Sequence, residues 1–138
     1  MSKVFLDTNV LIYWVAAGQR ADQVEQLLAD DAVISVQVLN EFANVLRKKQ
    51  KMPLPAITDL VGTLLQTCEV CDLTVRIHRA ALELAARYKI GIYDANILAA
   101  AGESGCAVVY SEDMQHGVSI KMPKTLNDGA LSIKNPFI

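Results

Sequence analysis

Long apolar runs are missing from this chain of 138 residues. Nothing approaches the ~18 uninterrupted apolar positions of a membrane-spanning helix, so no membrane role is expected. Cysteine is scarce: three residues in the whole chain do not make a disulfide framework and agree with a reducing compartment. Cys68 and Cys71 form one C-x-x-C, but Cys106 is the only other cysteine, and the expected role of the pair is that of small buried hydrophobes. A leader is not visible either, because Met1-Ser2-Lys3 runs straight into a strand-like segment, so a cytoplasmic location is expected. Internal repeats, low-complexity segments and linkers are absent. So is any basic excess: the net charge of −2 is unlike that of most nucleic-acid-binding proteins.

What is present is a core. With 52% hydrophobic and 20% charged residues the chain reads as one well-buried domain over residues 1–138, neither disordered nor fibrous. Lys3 to Leu6, Ala32 to Ser35, Cys68 to Leu73 and Cys106 to Tyr110 read as short buried strands. Between them helical spacing predicts Thr8 to Val15, Ala21 to Ala29 with Val24, Leu27 and Leu28 inward, and Gln37 to Lys49 with Leu39, Phe42, Ala43 and Leu46 inward. Met52-Pro53-Leu54-Pro55 ends that last helix and starts another that runs to about Gln66. Thr74 is placed to cap a helix from Val75 to Tyr88 with Ala81, Leu82, Leu84 and Ala85 inward, and a further helix runs from Asp94 to Glu103. From Val118 to Ile138 one short strand and an irregular tail are expected. Near-continuous apolar strands alternating with helices indicate an α/β fold whose mainly parallel sheet is covered on both faces.

Ligands of such open sheets bind beyond the carboxyl ends of the strands. Asp7 and Asp113 fall there, and Glu41 and Asp94 come at or near the starts of helices that begin on the same side. Two carboxylates ~4 Å apart repel by roughly 4 kcal/mol at an effective dielectric near 20. Against a total stability of ~5–15 kcal/mol that is a heavy load, and a divalent cation would lift it. Oxygen-only donors suit Mg²⁺ or Mn²⁺ rather than zinc, and such an ion promotes phosphodiester hydrolysis. Setting these four aside leaves 11 acids against 13 Lys and Arg, so the charge permits a polyanionic substrate.

The residues around the acids resemble a known family. Phe5-Leu6-Asp7-Thr8-Asn9-Val10-Leu11 is similar to the opening of PIN-domain nucleases. Ser35-Val36-Gln37-Val38-Leu39-Asn40-Glu41-Phe42 fits their stretch carrying the second acid. Tyr93-Asp94-Ala95-Asn96-Ile97-Leu98-Ala99-Ala100-Ala101 resembles the D-A-x-I-x-A-A helix, and Ser111-Glu112-Asp113 the [TS]-x-D after the fourth strand. The likeness runs in order from Lys3 to the tail Asn135-Pro136-Phe137. It implies a three-layer α/β/α domain and a Mg²⁺- or Mn²⁺-dependent endoribonuclease. In length the chain looks most like the toxin halves of VapBC-type pairs, which implies an RNA substrate, a small antitoxin partner and a homodimer.

Asp7 and Asp94 are expected as direct metal ligands, with Glu41 and Asp113 binding through water, holding a second metal or orienting the attacking water. Asn9 and Ser111 are expected to position carboxylates. Asn44 and Lys48 share a helix face with Glu41, and Arg47-Lys48-Lys49-Gln50-Lys51 reads either as a landing site for RNA or as a solvated helix end that favours cations. His116 is open between binding phosphate or protonating a leaving oxygen and stabilising its loop. His78 is expected at the surface, and Tyr13 and Trp14 in the core or at a partner interface. Two rivals are a PIN-like nucleic-acid-binding module without turnover and a receiver-like signalling domain. The second would want paired acids after strand one, whereas Asp7 is followed by Thr8-Asn9.

Overall fold

A computed structural model of the chain describes residues 3–126 and 129–138. Met1 and Ser2, part of the segment in which no leader is seen, lie outside them. The described residues form one six-stranded sheet in the order β3-β2-β1-β4-β6-β5. Its strands are β1 (Val4–Leu6), β2 (Ala32–Ser35), β3 (Glu69–Cys71), β4 (Val108–Tyr110), β5 (Ser119–Lys121) and β6 (Ala130–Lys134). Every pairing is parallel except that of β5 with β6. The helices are α1 (Thr8–Val15), α2 (Gln19–Leu28), α3 (Val36–Lys48), α4 (Leu54–Thr67), α5 (Val75–Tyr88) and α6 (Ile92–Glu103). Helices are layered on both sides of the sheet, the three-layer α/β/α arrangement expected. The order excludes the receiver arrangement, in which the first strand lies between the second and third. Here β1 lies between β2 and β4.

Helices α3 and α5 are each started by a capping side chain in their own sequence. Ser35 caps α3 by accepting from the Val38 N–H at 3.2 Å, and Thr74 caps α5 by accepting from the Ile77 N–H at the same distance. The inward stripe of α3 is Val38, Phe42 and Leu46, spaced i+4, with Leu39 and Ala43 only half-buried. In α5 it is Ile77, Ala80, Ala81 and Leu84, while Leu82, expected inward, is exposed. Helix α6 buries every residue from Ala95 to Ala101, and its small side chains let it press against both the sheet and α5. Phe5, Leu6, Ile34 and Val109 fill the centre of the sheet. Each such side chain contributes about 1.5–3 kcal/mol by burial.

Two expectations about the strands also change. The third strand is shorter and half-exposed, because β3 is the sheet edge and carries Glu69 there. The tail holds two strands, not one: Leu131 and Ile133 alternate inward between outward Ala130 and Lys134, and β6 inserts beside β4. That alternation has the period of a strand, but it is only five residues long. All three cysteines are free. Burial pushes the Cys68 thiol up to about 11 and the Cys106 thiol up to about 12, as befits inert packing residues. No helix among the described residues is long and apolar enough to cross a membrane.

Candidate active site

The strand order reverses direction between β1 and β4, and that is where an open parallel sheet leaves a crevice. Pairing continues one residue past the strands: the Asp7 N–H donates to the Tyr110 carbonyl at 3.0 Å, and the Ser111 N–H to the Lys134 carbonyl at 2.9 Å. The backbone thus fixes Asp7 and Ser111 side by side at the mouth. The Ser111 hydroxyl donates to Asp7 Oδ2 at 2.8 Å, and Asn9 Nδ2 donates to the same oxygen at 3.2 Å. Asp7 is also the N-cap of α1, where its Oδ1 accepts from the Thr8 N–H at 2.7 Å. Asn9 in turn holds the following loop, since its Oδ1 accepts from the Glu112 N–H at 2.9 Å.

A cleft of about 560 Å³ opens here, and Asp7, Glu41, Asp94 and Asp113 all line it. Asp94 stands in the first turn of α6, two residues inside the helix start at Ile92. Glu41 is held from two sides: Thr8 Oγ1 donates to its Oε2 at 2.9 Å and Gln37 Nε2 to its Oε1 at 3.2 Å. Burial, above all, lifts the Asp7 carboxyl to about 6 from 3.8; the Ser111 and Thr8 hydrogen bonds oppose the rise, and the charges of Glu41 and Asp94 add to it. Asp94 is raised as well, by burial and then by Glu41 and Asp113. Asp7 and Asp94 thus each feel the charge of Glu41, and Asp94 that of Asp113 as well.

Their donor chemistry fits a hard divalent cation: every candidate ligand is oxygen, and a bound cation would offset both the burial and the repulsion that lift Asp7 and Asp94. The geometry is not drawn tight. Among the described residues no group of three or more His, Cys, Asp or Glu side chains is arranged as around an ion. The carboxylates of Asp7 and Glu41 instead point to Thr8, Ser111, Asn9 and Gln37.

Of the expected substrate contacts, Asn44 lines the cleft, while Lys48 and Lys51 do not. Lys49 and Gln50 take that place, because the wall of α3 follows the row Glu41, Val45, Lys49, and the chain turns away at Lys51, whose φ is 54°. His116 is outside the cleft; its Nδ1 accepts from the Asn135 N–H at 2.9 Å, so the contact it makes is the loop-holding one. His78 is exposed. Trp14 stacks on Phe42 with centroids 6.5 Å apart, and Tyr13 meets Phe137 edge-on at 4.9 Å. Tyr13 also lines the cleft, as does a fifth acid, Glu112, to which the Tyr13 hydroxyl donates at 2.9 Å. Thr8 and Glu112 sit inside motifs already singled out, so their neighbours were the signal. Gln37 too lies inside such a motif, one helical turn before Glu41 on α3, whereas Arg20 reaches the site only through the tertiary fold.

The model of the PIN domain family matches residues 4–117. Among solved structures the chain is similar to DNA-bound VapBC from Salmonella typhimurium, with 20% identity, 99% of each chain covered and a TM-score of 0.69. It is also similar to VapC20 of Mycobacterium tuberculosis, a sarcin-ricin-loop-cleaving toxin, with 22% identity over 80% of this chain and 89% of that one and a TM-score of 0.66. A toxin–antitoxin complex from Klebsiella pneumoniae matches with 21% identity over 80% and 86% and a TM-score of 0.64. At such identities these likenesses are ones of fold. No curated protein sequence matches the chain.

Proposed function

The chain belongs to the PIN domain family, and from that premise we propose that it is a divalent-metal-dependent endoribonuclease and the toxin of a toxin–antitoxin pair. The observation that carries this reading is the gathering of Asp7, Glu41, Asp94 and Asp113 on one cleft at the switch point of the sheet. Capping α1 accounts for an acid at Asp7 but not for the three others beside it. In this proposal Asp7 and Asp94 hold Mg²⁺ or Mn²⁺, which would supply Lewis acidity toward a phosphodiester. Ser111, Asn9 and the Thr8 N–H keep the Asp7 carboxylate aimed and partly ionised. Thr8 and Gln37 do the same for Glu41. Glu41 and Asp113 order the attacking water and accept its proton. Lys49 and Asn44 on the α3 wall face the RNA.

The toxin reading is supported by the fold shared with VapBC components and with a toxin–antitoxin complex. It brings with it a small antitoxin partner, a homodimer and a cytoplasmic site of action. The test is cleavage of a panel of structured RNAs with Mn²⁺, comparing the wild type with Asp7→Asn. Wild-type cleavage that falls at least about 10²-fold in the variant is expected. Equal activity in both, or none in either, defeats the enzyme and leaves the binding module without turnover.

A further inference from the structure

The cleft that is to take a polyanion is lined by five carboxylates, and among its described lining residues Lys49 is the one cation. A second cation stands at its rim. Arg20, in the first turn of α2, stacks its guanidinium carbon 4.8 Å from the Tyr13 ring centre and 4.9 Å from that of Phe137. Its Nη1 donates to the Tyr13 hydroxyl at 2.7 Å and to Glu112 Oε2 at 3.1 Å, and both of those residues line the cleft. We propose that Arg20 is a backbone-phosphate subsite for RNA on the cleft rim, held ready by the aromatic pair Tyr13 and Phe137. The inference rests on the nucleic-acid reading of the cleft and adds the contact that sets how the strand enters it.

Three features support the assignment. Its hydrogen bonds to the described residues engage Nη1 alone, and the Arg20 side chain is 49% exposed, so the fork has further N–H donors to offer a ligand. An ion pair as exposed as Arg20–Glu112 is worth little, so exchanging the carboxylate for a phosphate costs little. The two rings restrict the guanidinium before any ligand arrives, and a preordered arginine loses less entropy on binding. Phe137 comes from the end of the chain, so the tail that follows β6 has a part in the site through Arg20.

The rival role for Arg20 is a clamp joining α1, α2, the Glu112 loop and the tail, which would move stability and not phosphate binding. Binding of a single-stranded RNA oligonucleotide to the full chain carrying Asp94→Asn separates the two, measured in Mg²⁺ over a range of salt. Arg20→Met is expected to weaken binding about tenfold and to reduce the slope of log affinity against log salt by about 0.7, the signature of one lost phosphate. Arg20→Lys should recover most of the slope but not the affinity, since the fork is lost and the charge kept. With Asp94 intact, Arg20→Met should raise KM more than it lowers kcat. Cleavage with an unchanged salt slope overturns the subsite alone. Arg20-dependent binding without cleavage by the wild type overturns the nuclease reading alone. If no variant binds RNA, the subsite falls, whatever the melting temperatures show.

Discussion

At the carboxyl ends of the parallel strands the buried side chains include Asp7, Thr8, Ser35 and Ser111. At the amino ends they are Ala32, Cys68 and Cys106, with an exposed Lys3–Glu69 pair beside them. The same strands thus have one end that is uniformly apolar inside and another that buries hydrogen-bonded polar groups and a carboxyl. The difference is not forced by the fold, since the amino end shows that these strands can end in apolar side chains. Burying polar groups costs stability unless each finds a partner; Ser35 finds one by capping α3, while the partners of Thr8 and Ser111 are carboxylates on the cleft. One end of the sheet gives the domain its stability, and the other puts some of it at risk for chemistry.

The cost should be visible as a pH dependence. Burial lifts the folded Asp7 carboxyl to about 6, from an ordinary 3.8. The folded state therefore binds the proton more tightly than the unfolded one, so stability falls as pH rises from about 4 through about 6. A shift of that size corresponds to about 3 kcal/mol once both states are ionised. In a chelator, wild-type protein should lose stability relative to Asp7→Asn across that window, measured by urea unfolding at each pH. Millimolar Mg²⁺ should narrow the gap above pH 6, because the ion stabilises the charged form. A wild type and variant that run parallel from pH 4 to 7 would show that the carboxyl end bears no such load.

A smaller effect sharpens the contrast at a single hydrogen bond. Ser111 is fully buried, and its hydroxyl donates to Asp7 while accepting from the Met114 N–H at 3.2 Å. Ser111→Ala removes the donor and leaves the acid in place. Groups that orient metal ligands are worth roughly 10–100-fold in activity, so RNA cleavage should drop by that range, and the Asp7 carboxyl should titrate higher still. Cleavage within twofold of wild type would make Ser111 an element of the loop and not of the site.

The contrast between the two ends also explains what could be read from the residues alone. The four acids, Asn9 and Ser111 stood out because strands and capped helices have short-range signatures, and those signatures say which end each residue occupies. The strands β1, β2 and β4 were readable for the same reason. What was missed depends on contacts between distant parts of the chain. Strand β6 is recognised by its place beside β4, and Arg20 by the Tyr13, Glu112 and Phe137 that surround it. Lys49 replaced Lys48 because the direction from which the cleft meets α3 is a tertiary fact. His116 lies close in sequence to Asp113 but after the chain has turned toward Asn135.

Helix α6 joins the two ends, since Asp94 in its first turn lines the cleft while Gly102 near its other end packs on Met122. A Cβ at Gly102 would run into the Met122 side chain at Sδ. Overpacking of this kind costs ~1–3 kcal/mol, and the helix propensity gained on replacing glycine by alanine returns up to about 1 kcal/mol. Met122 is unbranched but itself buried, so it gives way only in part and the cost stays near the middle of that range. Gly102→Ala should therefore lower stability by about 1 kcal/mol in urea unfolding while RNA cleavage at a temperature where the variant is folded stays within twofold. If cleavage instead fell as far as in Ser111→Ala, strain at the amino end would be reaching Asp94 along the helix. The two ends of the sheet would then be coupled through α6.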